Sequence, residues 1–171
     1  DFGFSVAYNF SVIKNKMTEL NGVDYIGLSS SELHGRNFDQ ETSRSAVGQP
    51  IGSFFVYEAD GLFQSDAEIQ NYKNDRGELL QPNAKPGDIR FKDLNGDGVI
   101  NSDDRDFKGN PLPDCSMGLT LGFNYKNFDV SAFFQGVFGN EVYNLTNYLG
   151  EFYNQAQYNK NSTILDAWRP D

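Results

Sequence analysis

Apolar and polar residues alternate strictly from the start of the chain. Phe2, Phe4, Val6, Tyr8, Phe10 and Val12 fall on one side and Gly3, Ser5, Ala7, Asn9 and Ser11 on the other. This period of two predicts a β-strand over residues 1–14, ended by Lys14-Asn15-Lys16. Because the second side is small and polar, one face meets something oily and the other meets water or polar side chains. The pattern returns at Cys115, where Met117, Leu119, Leu121, Phe123 and Tyr125 oppose Ser116, Gly118, Thr120, Gly122 and Asn124. After Lys126-Asn127, Phe128, Val130, Ala132 and Phe134 oppose Asp129, Ser131, Phe133 and Gln135. Two runs of about ten residues joined by a minimal turn predict a long antiparallel hairpin over 115–138, with Phe133 as the one ring on its polar side.

The intervening residues carry little periodicity. Residues 17–50 are rich in Ser, Gly, Asn and charge and are expected to be mostly loop, with a strand candidate at Val23 to Leu28. Gln49 to Tyr57 is a second extended stretch, with Glu58-Ala59-Asp60-Gly61 as its turn. Ser65 with Glu68 three residues on is a helix-start signal and predicts a short helix to Tyr72. Beyond Gly139, Asn140 to Asn144 lead from the strand into a loop dense in aromatics and amides, including Tyr148, Phe152, Tyr153 and Tyr158. Such a loop suits stacking on a sugar or a peptide, and equally suits plain loop packing and interface rings. Ser162 to Trp168 predicts one or two helical turns, stopped by Pro170.

Residues 93–104, Asp-Leu-Asn-Gly-Asp-Gly-Val-Ile-Asn-Ser-Asp-Asp, place oxygen ligands at alternate positions around a glycine. Counted from Asp93, side-chain oxygens fall at one, three and five (Asp93, Asn95, Asp97), with Gly98 at the sharp turn. The Val99 carbonyl, Asn101 and Asp104 complete the set expected of a calcium loop. A hard cation needs six to eight such oxygens, and short side chains at spacing two supply them. Ile100 is expected to point away from the ion and pin the loop. Two features depart from an EF-hand: Asp104 stands where Glu is usual, so Asp103 competes for the role, and Pro86 to Lys92 reads as an extended lead-in rather than a helix. Asn101 or Ser102 is expected to cap a short helical turn. The rival reading is an Asx-rich surface turn that binds nothing.

Composition narrows the class. Aromatics are 15% of the chain (15 Phe, 9 Tyr), so the apolar weight lies in rings, which suits strands and aromatic girdles better than helical bundles. A net charge of −10 argues against nucleic acid or anionic headgroups as partners. The single Cys115 excludes an intrachain disulfide and is expected to be a small buried residue. His34, the lone histidine, has loop-like neighbours and is expected at the surface. With no Ser/His set and no thiolate site, the chain is not expected to be an enzyme. A glycosidase would need two carboxyls about 5–10 Å apart in a cleft, which a sequence does not place. No apolar run approaches the roughly 20 residues of a membrane helix, which excludes a membrane role only in its helical form. Because Asp1 lies inside an alternating run and Asp171 follows a partly apolar stretch, the chain is expected to be a piece of a longer one.

Strands of about ten residues with this dyad, one minimal turn and very long loops are the signature of an outer-membrane barrel. Sandwich strands are usually nearer five or six residues. The fold expected is therefore all-β: part of an antiparallel transmembrane barrel with a long extracellular loop region. Residues 1–14 and 115–138 would be wall strands; 15–114, with the calcium loop, and 139–171 would be loops. The alternative is a secreted, calcium-stabilised, carbohydrate-binding β-sandwich whose ring-bearing faces hide against a second sheet.

Several segments sharpen this choice. Pro50-Ile51-Gly52-Ser53-Phe54, Asp60-Gly61-Leu62-Phe63-Gln64 and Pro86-Gly87-Asp88-Ile89-Arg90-Phe91-Lys92-Asp93-Leu94-Asn95-Gly96-Asp97-Gly98 are followed by Asp104-Arg105 and Gly109-Asn110-Pro111-Leu112-Pro113-Asp114. Tyr125-Lys126-Asn127-Phe128-Asp129-Val130-Ser131 and Phe134-Gln135-Gly136 complete the series. In order and spacing, over nearly all of residues 50–145, these resemble the barrel portion of SusC/RagA-family transporters, the TonB-dependent outer-membrane importers of Bacteroidetes. The resemblance implies a plugged barrel of roughly 22 strands, of which this chain supplies a few. It also implies TonB acting through a part of the protein outside this chain, a SusD-like surface lipoprotein, an oligosaccharide or peptide ligand, and lipid around the wall. With Lys126-Asn127 toward the periplasm, the calcium loop would be extracellular and structural.

Overall fold

The computed structural model describes residues 2–29, 41–151 and 159–169. His34 and the rings at 152, 153 and 158 lie outside the described residues, and so do the expectations placed on them. In chain order the strands are β1 (Phe2–Val12), β2 (Tyr25–Ser29), β3 (Glu41–Ala46), β4 (Ser53–Tyr57) and β5 (Ala59–Leu62). Helix α1 (Asp66–Asn71) precedes β6 (Ile89–Phe91), a 3₁₀ turn at Ser102–Asp104 and β7 (Arg105–Phe107). The chain continues through β8 (Cys115–Tyr125), β9 (Phe128–Phe138), α2 (Leu145–Glu151) and a second 3₁₀ turn at Ser162–Asp166. The fold is all-β with antiparallel sheets, and the chain divides into two units.

The first unit, Asp1–Phe54 with Lys108–Val142, carries the long sheet, in the order β1-β8-β9. Each of these strands is 11 residues long. Pairing runs without a slip from Phe2 opposite Tyr125 to Val12 opposite Cys115, and from Cys115 opposite Phe138 to Tyr125 opposite Phe128. Strict alternation is what holds this register, because a one-residue slip would turn every ring to the other face. The tight turn places Lys126 at φ 52, a positive φ of the kind that matches the twist of two-residue hairpins.

In this register the two faces are chemically distinct. Rows such as Phe4–Phe123–Val130 and Val6–Leu121–Ala132 make one face apolar from end to end. Ser5–Gly122–Ser131 and Asn9–Gly118–Gln135 make the other small and polar, with Phe133 and Val137 as exceptions. No second sheet covers the ring-bearing face among the described residues: Phe2, Phe4 and Tyr8 are 67%, 61% and 61% exposed. The sandwich alternative required those rings to be buried. Cys115, expected to be buried, is only half-buried, because it stands in this same outward row between Val12 and Phe138.

A smaller sheet in the same unit pairs β2 with β3 and β3 with the start of β4. The strand candidate at 23–28 is realised as β2, whereas β3, Glu-Thr-Ser-Arg-Ser-Ala, lay in a stretch expected to be loop. Its side chains show no alternation. Pairing and the two-pronged contact of Arg44 with Glu41, at 2.7 and 2.9 Å, accompany its extended form.

The second unit, Phe55–Phe107 with Tyr143–Asp171, contains the buried apolar side chains of the described residues: Phe63, Ile69 and Leu80. The turn expected at Glu58–Gly61 is instead strand β5, paired with β6. Its register shifts between Ala59 and Leu62, so Gly61, at φ +95, makes an irregularity within the ladder rather than a reversal. Helix α1 starts as expected: the Ser65 side chain accepts from the Glu68 N–H at 3.3 Å, and Glu68 accepts from the Gln64 N–H at 2.9 Å. Ile69 is the buried residue of the helix, and the ring of Phe63, also buried, meets Tyr72 edge-on at 5.7 Å.

Candidate functional site

The Asp93–Asp104 loop closes by side-chain to backbone hydrogen bonds. Asp93 accepts from the Gly96 and Gly98 N–H groups at 2.7 and 2.9 Å, one on each oxygen. Asn95 accepts from the Asp97 N–H, and Asp97 from the Val99 N–H, both at 2.8 Å. These steps of two are Asx turns, the local preference of short polar side chains. Gly98 is needed twice over: its φ is +88, and a Cβ there would lie 2.5 Å from the Asn74 side chain.

Asp104 is fully buried, with its two oxygens accepting from the Leu94 N–H at 2.9 Å and the Asn101 N–H at 2.7 Å. Asn101 in turn accepts from the Asp103 N–H at 2.8 Å and caps the 3₁₀ turn, completing a capping box. Asp104 thus joins the two ends of the loop, while Asp103 is exposed. Ile100 is half-buried and Val99 is 56% exposed.

Asn74 has no signal in the sequence, yet its amide donates to the Gly98 carbonyl at 3.2 Å and to Glu78 at 2.9 Å. Together with Lys73, Asp75, Arg76, Leu80, Asp93 and Asp97 it lines an open cavity of about 350 Å³. Among the described residues, no group of three or more His, Cys, Asp or Glu side chains converges on a point that could hold a metal ion. The donors that the loop does offer are oxygens alone, the chemistry a hard cation takes. Each hydrogen-bonded oxygen retains a second lone pair.

Beneath the loop lies Tyr72, whose hydroxyl donates to the Phe91 carbonyl at the end of β6. Its phenol is held above the ordinary value of 10.0, first by burial and then by the charges of Asp60, Asp93 and Asp104, against which Arg90 acts. Gln81 holds the same strand at both ends, accepting from the Phe91 N–H at 2.9 Å and donating to the Ile89 carbonyl at 3.1 Å.

The other functional surface is the long sheet itself. At about 3.4 Å per residue its strands span roughly 37 Å, and a tilt of about 45° brings this to roughly 26 Å, close to the apolar band of an outer-membrane wall. No helix among the described residues is long and apolar enough to cross a membrane, which says nothing of crossing by strands.

No family model matches the chain. Curated relatives do: TonB-dependent receptor P26 of Formosa agariphila is 35% identical over 171 residues, all of this chain and 16% of that protein. TonB-dependent receptor SusC of Bacteroides thetaiotaomicron is 30% identical over 147 residues, 84% of this chain and 13% of that protein. The chain belongs to the SusC-like TonB-dependent receptors. TonB-dependent receptor P3 of Formosa agariphila matches to the same extent, at 36% over 170 residues. The chain spans about a sixth of the length of P26 and P3, 16% of each.

Proposed function

We propose that this chain is a wall-and-loop stretch of an outer-membrane importer for oligosaccharides or peptides. Energy would come through TonB, acting on a part of the receptor outside this chain, and a SusD-like surface lipoprotein would capture the ligand. The observation that carries the reading is the register of β1, β8 and β9, which makes one face apolar over its full length and the other small and polar. The apolar face contacts lipid, the small face lines the interior, and residues 15–114 and 139–171 are extracellular. Single cysteines in the intact receptor test this. Positions 4, 121 and 130 should react with a lipid-phase label and positions 5, 122 and 131 with an aqueous maleimide; the reverse pattern, or equal aqueous labelling of both sets, sinks the reading.

The Asp93–Asp104 loop serves this importer as a brace, with calcium held by Asp93, Asn95, Asp97, the Val99 carbonyl, Asn101 and Asp104. Support comes from the all-oxygen donor set, the exposed positions of Asn95 and Asp97, and the adjoining open cavity. When bound, the ion supplies charge neutralisation and rigidity rather than chemistry. In the intact receptor, calcium should protect residues 88–108 from protease and Asp97→Ala should abolish that protection. Equal cleavage of the unmutated protein with calcium and with chelator removes the metal from the proposal.

A further inference from the structure

The only tryptophan of the chain lies across a glycine of the lead-in to the Asp93–Asp104 loop. Gly87 has φ +94, and a Cβ built on it would lie 2.5 Å from the Trp168 ring, so the indole occupies the space that any other side chain would take. The indole N–H donates to the Gln64 side chain at 2.9 Å. Gln64 is itself positioned, donating from its amide to the Leu62 carbonyl at 3.1 Å and from its N–H to Glu68 at 2.9 Å. The turn beneath the ring is tied to the same strand end: the Gly87 N–H donates to the Phe63 carbonyl, and the Phe63 N–H to the Asp88 carbonyl.

From that turn the chain runs straight through β6 to Asp93. Gln81 and Tyr72 hold β6 along its length, so little slack remains between the indole and the loop. We infer that Trp168 is a latch: by seating on Gly87 it fastens the 159–169 strap to the β5–β6 hairpin and couples the order of that strap to the closure of the Asp93–Asp104 loop. Side-chain packing plus one hydrogen bond biases both segments toward the same closed state, whether or not the loop takes a cation. Coupling of this kind needs a direct measurement, since adjacency alone does not establish it.

Hydrogen exchange of the intact receptor, kept in chelator throughout so that the calcium reading is not at stake, gives that measurement. In Trp168→Ala, amides of 87–104 should exchange about tenfold faster along with those of 159–169, while 115–138 keep their rate. Trp168→Phe keeps a ring over Gly87 without the N–H, and should speed both segments by a smaller factor. Acceleration confined to 159–169, with 87–104 at the wild-type rate, overturns the coupling. Should Trp168→Ala disturb 115–138 as well, Trp168→Phe decides: faster exchange in 87–104 alone with 159–169 supports the latch, and unchanged exchange in 87–104 overturns it.

Discussion

The long sheet and the 55–107 unit are held together by opposite means. In β1, β8 and β9 the backbone ladder is complete, yet the rings point outward and remain exposed. In the proposed wall, their burial would come from lipid, which lies outside the polypeptide. In the 55–107 unit the apolar core is small, and much of the backbone between its elements is satisfied by side chains: Asp93, Asp104, Asn74, Gln81 and Ser65 each take up a main-chain group. The first region is specified by a repeat that any short window displays. The second depends on individual side-chain contacts that no repeat announces, several of them between residues ten or more apart.

Substitutions that act on one region and spare the other can break this contrast. Phe63→Ala empties the centre of the 55–107 unit, where the ring is 0% exposed, and should cost about 3–5 kcal/mol there. Exchange in 55–107 should rise steeply while the pairing of 115–138 is kept. Leu121→Arg, mid-height on the outward face, should cost about 2–4 kcal/mol in lipid, whereas an arginine at the inward Ser5 should cost far less. Unfolding of the intact receptor from bilayers measures both, and equal costs would mean that the faces are wrongly assigned.

Smaller effects sharpen the contrast. Ser65→Ala removes the cap of α1 and should cost about 1 kcal/mol, read as faster exchange over residues 66–71. The Tyr72 phenol titrates higher folded than unfolded, so its contribution is fully present below the ordinary value of 10.0 and is lost as pH rises through the raised one. Local stability of 55–107 should therefore fall above about pH 10 in the unmutated receptor. The gap between it and Tyr72→Phe should narrow over the same range, and a constant gap would show that burial of the phenol is not felt.

Legibility follows the same division. Strands β1, β8 and β9 were readable residue by residue, since alternation reports a two-faced environment directly. The helix at Ser65 and the cap at Asn101 were readable from local chemistry, because each partner lies within a few positions, and the extended lead-in before Asp93 from its proline, glycine and alternating Ile89 and Phe91. Strands β3 and β7 and helix α2 were not. Glu41–Ala46 and Arg105–Phe107 owe their extended form to partners elsewhere in the chain, and Leu145–Glu151 follows a stretch that reads as loop. Nor does anything near Asn74 or Trp168 disclose that the one reaches Gly98 and the other Gly87 and Gln64.

Periodicity by itself determined β1, β8 and β9, their faces and the order of oxygen-bearing residues around Gly98, because those are properties of neighbours two positions apart. Only the tertiary structure decided that Asp104 is a buried clamp between the ends of its loop, that Ala59–Leu62 is a strand paired with β6, and that Trp168 sits on Gly87. Each of these depends on a contact whose partners are brought together by folding, and the free energy of such a contact is not written in either partner's local sequence.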